Sequence, residues 1–199
     1  VMSLLVACLT AACAGQAASA DQSSNQKEQA VKEYKGGDSK ILVAYFSCTG
    51  NTKELAEKSV AVLGADIYEI VPKEPYTNKD LDYNDETSRV SREHQDASYR
   101  PQIAANIGSL DKYDTIVLAY PIWWGEAPNI MATFMESCDF SGKKIVPVCT
   151  AASSDIGSSA EHLQALAAPT AEWKPGSRLS PDITEGELAA WFGERQIKK

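Results

Sequence analysis

Four apolar runs set the rhythm of the chain. Residues 41–46, 66–71, 115–119 and 144–149 each read as a strand, and three of them carry almost no polar residue. Runs of that kind belong to strands covered by helices on both faces. Between them the apolar spacing becomes helical. Leu55, Ala56, Ser59, Val60 and Leu63 mark one helix, and Gly64 supplies its stop. Ile130, Met131, Phe134, Met135 and Cys138 mark a second, with Pro128 suited to its first turn. Ser158 with Glu161, and Thr184 with Glu187, have capping-box spacing; Ile183 and Leu188 stand where a hydrophobic staple would close the last helix. From Pro72 to Asp111 the chain is polar, with a charged helical stretch near residues 85–97. Alternating strands and helices predict an α/β fold, a doubly wound parallel sheet. Ligands in such sheets bind beyond the carboxyl ends of the strands. The loops after Phe46, Ala119 and Cys149 are therefore where chemistry is expected.

The first of these loops is Ser47-Cys48-Thr49-Gly50-Asn51-Thr52. A small, hydroxyl-rich turn between strand and helix can hold a phosphate, because free amides and the helix dipole favour an anion there. Ser47, Thr49, Asn51 and Thr52 add side-chain donors, and Gly50 permits close approach or a positive φ. The loop has no Lys or Arg, and it lacks the Gly-Lys-Ser/Thr ending of a nucleotide triphosphatase. Taken alone, an ordinary capped turn explains it equally well.

The second loop is Tyr120-Pro121-Ile122-Trp123-Trp124-Gly125-Glu126-Ala127-Pro128. Two adjacent indoles are costly to expose, so at least one should face something flat, with Gly125 leaving backbone nearby. A hydrophobic lid over the core is the alternative. The third loop contains Thr150, Ser153, Ser154, Asp155 and Gly157, small and polar enough to wrap a ligand. His94 and His162 lack metal-ligand spacing and read as surface residues. Tyr83, Arg89 and Arg100 either border a ligand or form a solvated face, the latter favoured. Trp173 and Trp191 read as packing residues. Ser153-Ser154-Asp155 has no nucleophile-elbow spacing.

The order of these motifs resembles the flavodoxin-like family of FMN-binding proteins, from about Lys40 to the end of the chain. The resemblance implies a five-stranded parallel sheet of order 2-1-3-4-5. It implies that Ser47, Cys48, Thr49, Gly50, Asn51 and Thr52 surround the FMN phosphate. Pro121, Ile122, Trp123, Trp124 and Gly125 would lie beside the isoalloxazine, and Thr150, Ser153, Ser154, Asp155 and Gly157 on its other side. Family members often carry Arg at the position of Cys48, and a cysteine there suggests sensitivity to oxidation. Glu126 and Asp155 near the ring would lower the potential of its full reduction. The functions implied are an electron-relaying flavoprotein, with a redox partner protein or a small electron acceptor, or an FMN-dependent NAD(P)H:quinone or nitro reductase. A tethered module without flavin is the third possibility.

Charge and cysteines refine the picture. The 199 residues carry a net charge of −8. In the segment before Asp38, Lys27, Lys32 and Lys35 offset Asp21, Glu28 and Glu33, so the acidity belongs to the remainder and argues against nucleic acid as a partner. Residues 1–13 are uncharged and match a secretory h-region. Leu9-Thr10-Ala11-Ala12-Cys13 resembles a bacterial lipoprotein cleavage box, which would lipidate Cys13; the box ending at Cys8 leaves little apolar sequence upstream. The expected organisation is a leader over residues 1–13, a tether over 14–38 and the domain over 39–199. Membrane contact would be only through the lipid anchor of an exported protein. The other cysteines, Cys48, Cys138 and Cys149, form no even-numbered disulfide framework, although a Cys138–Cys149 pair stays open.

Overall fold

A computed structural model describes residues 36–199 of the chain. Cys8, Cys13 and the tether up to Lys35 lie outside the described residues, as does the proposed leader. The domain runs β1 (Ile41–Tyr45), α1 (Asn51–Leu63), β2 (Asp66–Glu69), α2 (Arg89–Gln95), β3 (Thr115–Pro121), α3 (Asn129–Ser137), β4 (Lys144–Thr150), α4 (Ser159–Gln164), β5 (Glu172–Trp173), β6 (Ser177–Arg178) and α5 (Glu185–Glu194). All strand pairings are parallel, in the order β2-β1-β3-β4-β5, with β6 also on β4. This is the doubly wound sheet that the apolar pattern predicts, in the order that the resemblance implies.

The continuous apolar runs are explained by two cores, one on each face. Leu42, Ala44, Phe46, Ile116, Leu118 and Tyr120 point to the face covered by α2, α3 and α4. Ile41, Val43, Tyr45, Val117, Ala119, Val146 and Val148 point to the face covered by α1 and α5. The central strands are buried except at Pro121 and Lys144, at the ends of β3 and β4. Each fully buried aliphatic or aromatic side chain contributes about 1.5–3 kcal/mol, so the strands that carry the loops are anchored in both cores.

The fifth strand is broken. β5 pairs with Lys144 and Ile145, and β6 pairs with Val148 and Cys149. Pro147 lies between the two stretches and has no N–H to give to a neighbouring strand. Gly176 crosses it so closely that a Cβ there would lie 2.6 Å from Pro147 Cγ and Pro147 O. Only glycine fits that crossing.

One helix start matches its expectation and three differ. The Thr184–Glu187 capping box forms as predicted: Glu187 N donates to Thr184 Oγ1 (3.2 Å), and Thr184 N donates to Glu187 Oε2 (3.0 Å). The Ser158–Glu161 box does not form. Ser158 has helical angles (φ −85°, ψ −1°), outside the extended region that a capping side chain uses, and its hydroxyl donates to Glu126 Oε1 instead (3.1 Å). The helix expected near residues 85–97 is shorter, because side-chain turns at Asp82 and Asp85 hold the preceding chain and Ser88 caps α2 by accepting from Ser91 N. Pro128 precedes α3 at the N-cap rather than standing inside its first turn.

Candidate functional site

The three loops meet at the carboxyl edge of the sheet because β1, β3 and β4 are adjacent. Phe46 N donates to Ala119 O (3.0 Å), and Ile122 N donates to Thr150 O (2.9 Å). Thr52 Oγ1 and Thr150 Oγ1 lie 2.7 Å apart, which ties the first helix to the end of β4. Gly157 approaches the carbonyl of Gly125, joining the third loop to the second.

The first loop turns outward at Gly50, whose φ of +96° and ψ of −23° are left-handed. A Cβ built there would meet no atom within 4 Å, so the space beside it is open. Gly50 N donates to Ser47 Oγ (3.1 Å). No side chain caps α1, and the amides at its start are left without an intrahelical acceptor. Thr49, Gly50 and Asn51 are exposed and Ser47 is half-buried. Thr52 differs from them: it is 1% exposed, and its hydroxyl faces Thr150.

The second loop separates its two indoles. Trp123 is 8% exposed and meets Phe46 and Tyr76 edge-on at ring distances of 5.6 Å, as a lid over the core would. Trp124 is 42% exposed and has a φ of +48°. Trp123 and Glu126 exchange backbone hydrogen bonds (2.9 and 3.0 Å), so Trp124 and Gly125 (φ +83°) form the tip of a two-residue hairpin in which both tip residues have positive φ. A tryptophan in that region is strained. The flat neighbour is His94, stacked on the Trp124 indole at 4.8 Å and 18°, with Tyr83 tilted against it at 4.9 Å. Of the third loop, Ser153, Ser154, Asp155 and Gly157 are exposed, while Thr150 is buried.

The polar segment after β2 contributes more than sequence reasoning assigned to it. His94 is exposed but belongs to the indole stack, and His162 pairs with Glu126 (Nδ1 to Oε2, 2.7 Å). Both are surface residues, as expected, and each also has a partner in the second loop. Arg89 is not solvated: its Nε donates to Glu93 Oε1 (2.7 Å), and its guanidinium lies 4.0 Å from the centre of the Tyr76 ring. Tyr76 donates to the other Glu93 oxygen (2.6 Å), and Glu93 is 5% exposed. Arg100 is held by Glu136 in a two-bond fork of 2.9 Å contacts. The i,i+4 spacing of Arg89 and Glu93 was the available signal for the buried pair; the His94–Trp124 and His162–Glu126 contacts join distant segments and left none.

Cys48 packs against this cluster. Burial pushes its thiol up to about 12, with Arg89 pulling it down and Glu93 raising it. Burial likewise raises Cys149 to about 12 and lifts Cys138. All three are free. At pH 8 a thiol of pKa 12 is about one part in 10⁴ thiolate, so the oxidation sensitivity expected of Cys48 is opposed by its surroundings. Native protein treated with iodoacetamide at pH 8 is expected to remain unlabelled at Cys48 and Cys149 over hours, and to label within minutes in denaturant. Native labelling at the rate of an unfolded peptide would contradict this placement.

A crevice of about 500 Å³ opens beside the second loop, between α2, α3 and α4, with Trp123 and Glu126 in its wall. Among the described residues no group of His, Cys, Asp and Glu could hold a metal ion, and no helix is long and apolar enough to cross a membrane.

A parallel α/β sheet of order β2-β1-β3-β4-β5, with an uncapped, cation-free loop after β1 and an aromatic loop after β3 gathered at its carboxyl edge, defines a doubly wound fold class. The flavodoxin family profile matches residues 40–195, and the chain belongs to the flavodoxin family. It is 42% identical to a candidate flavoprotein from Bacteroides eggerthii, covering 79% of this chain and 98% of that one, with a TM-score of 0.75. A second candidate flavoprotein, from Bacteroides uniformis, is 41% identical over 80% of this chain and 99% of its own, with a TM-score of 0.72. A flavoprotein from Lactobacillus acidophilus, solved in complex with FMN, shares the fold at 20% identity and a TM-score of 0.56, covering 76% of this chain and 97% of its own. No match was found among curated proteins.

Proposed function

We propose that this protein binds FMN at the carboxyl edge of its sheet and works as a redox protein. The observation that carries the reading is Gly50: a left-handed residue with open space where its Cβ would be, at the uncapped start of α1. A dianionic phosphate fits such a cradle without a cation, because amides and hydroxyls supply the donors and the dipole supplies the field. Ser47, Thr49 and Asn51 would donate to it. Thr52 acts differently, fixing the loop to β4 through Thr150. Trp124 would offer its indole to the ring, while Trp123 anchors the hairpin in the core. Cys48 borders the cradle as a neutral thiol. Pro121, Ile122 and Gly125 shape the second wall, and Ser153, Ser154, Asp155 and Gly157 the third.

Bound FMN would supply one- and two-electron transfer. The chain's part is to hold it, exclude water from one side and bias the charge around it. Asp155 and the acidic surface favour the oxidised, less negative cofactor. Electron relay is one reading of the role; the crevice beside Trp123 favours a second, an FMN-dependent reductase with a bound substrate. Lipidation at Cys13, export, and anchoring at the outer face of the membrane rest on the Leu9–Cys13 residues alone and are part of the proposal.

The deciding experiment is a redox titration of the FMN-loaded protein, followed by assays with NADH or NADPH and a quinone. Reversible reduction of bound flavin supports the redox role, and catalytic turnover selects the reductase. A protein that stays colourless in excess FMN would sink both and leave a tethered binding module.

A further inference from the structure

The crevice between α2, α3 and α4 is separate from the phosphate cradle: none of the residues 47–52 lines it. Its floor is apolar, formed by Val90, Trp123, Pro128, Leu163 and Leu166. Its charged groups are already satisfied. Glu93 accepts from Arg89 and Tyr76, Arg100 is forked onto Glu136, and Glu126 takes Ser158 and His162. What remains on offer is imidazole and the side-chain oxygen of Asn129, whose amide nitrogen is already spent on the carbonyls of Glu93 and Asp96. His94 makes no hydrogen bond among the described residues, and His162 uses only Nδ1, leaving Nε2. The volume of about 500 Å³ lies within the range of small-molecule sites.

Those features select a ligand class. An anion would find no uncommitted Arg or Lys in the lining, and it would meet a protein of net charge −8. A cation would compete with ion pairs already formed. A neutral, planar, largely apolar molecule would cover the Trp123 wall and the aliphatic floor. A carbonyl or phenolic oxygen at its edge would reach the free imidazole nitrogens. We propose that this crevice binds a neutral aromatic ketone or phenol, with His94 and His162 as its hydrogen-bonding partners. In the redox reading the molecule is the small electron acceptor or its reduced form, since Trp123 and Glu126 belong to the loop beside the flavin. That assignment rests on the proposed FMN function; the binding itself does not.

The test uses 1-naphthol, titrated by its fluorescence into the protein with and without FMN. The expected dissociation constant is on the order of 100 µM, typical of a ligand this small. Ala132→Trp, which fills the crevice from α3, should weaken binding by about tenfold or more and leave FMN uptake unchanged. Should that variant fail to fold, the double variant His94→Ala with His162→Ala carries the test. It should weaken 1-naphthol by about fivefold and leave naphthalene, which has no oxygen, unaffected. 1-Naphthyl phosphate should bind more weakly than 1-naphthol. No binding of 1-naphthol by the wild type, undiminished binding in Ala132→Trp, or preference for the phosphate ester would each overturn the proposal. Because 1-naphthol is titrated in the absence of FMN as well, failure of the flavin reading is recognised separately, as loss of FMN uptake with the crevice still occupied.

Discussion

Gly50→Val is expected to weaken FMN binding by about a hundredfold, near 2.7 kcal/mol. Two effects add. The native φ of +96° costs an L-residue about 1–2 kcal/mol, and a β-branched one is the least tolerant. The new methyl groups would also occupy the open space beside the loop, where the proposed phosphate must approach the amides. Since no protein atom lies within 4 Å of that position, the loss of affinity would come from the ligand side and from loop strain, with no clash in the core. Titration of flavin fluorescence checks it, with Gly50→Ala as the milder case. Native affinity in the valine variant would remove the phosphate from this loop.

Glu93→Ala should be the most destabilising single change near the site, by about 3–5 kcal/mol. Glu93 is 5% exposed and receives Arg89 at 2.7 Å and Tyr76 at 2.6 Å. Its removal leaves a guanidinium whose side chain is only 14% exposed with the Glu74 carbonyl as its remaining acceptor, together with a half-buried phenol. Because Tyr76 also supports Phe46 and Trp123, the second loop should lose order along with α2. Chemical denaturation measures the first effect and tryptophan fluorescence the second. Glu93→Gln, which keeps an acceptor for Tyr76 and Arg89, should cost less than the alanine. A drop below about 1 kcal/mol in Glu93→Ala would show that water reaches the pair and screens it.

The strands were legible because both of their faces are buried, leaving runs such as residues 41–46 and 144–149 without alternation. The loop after β1 was legible because its chemistry is local: hydroxyls, one glycine and a helix start within six residues. What the sequence hid is mostly non-local. The break between β5 and β6 depends on Pro147 of one strand facing Gly176 of the next. The Ser158–Glu161 box fits as a spacing and fails as a geometry, since Ser158 is already helical and its hydroxyl reaches back to Glu126. His94 and His162 are surface residues as the sequence suggested, but their partners, Trp124 and Glu126, are 30 and 36 positions away in the chain and left no local sign. The division of labour between the indoles follows from a hairpin tip that only backbone angles reveal.

The most direct measurement compares FMN with riboflavin, which differ by the phosphate alone, in binding to the cofactor-free protein. A cradle built on Gly50 and the first turn of α1 predicts FMN tighter by about a hundredfold or more, with the advantage largely lost in Gly50→Val. Equal affinity for the two flavins, or an FMN preference that survives Gly50→Val intact, would contradict the account.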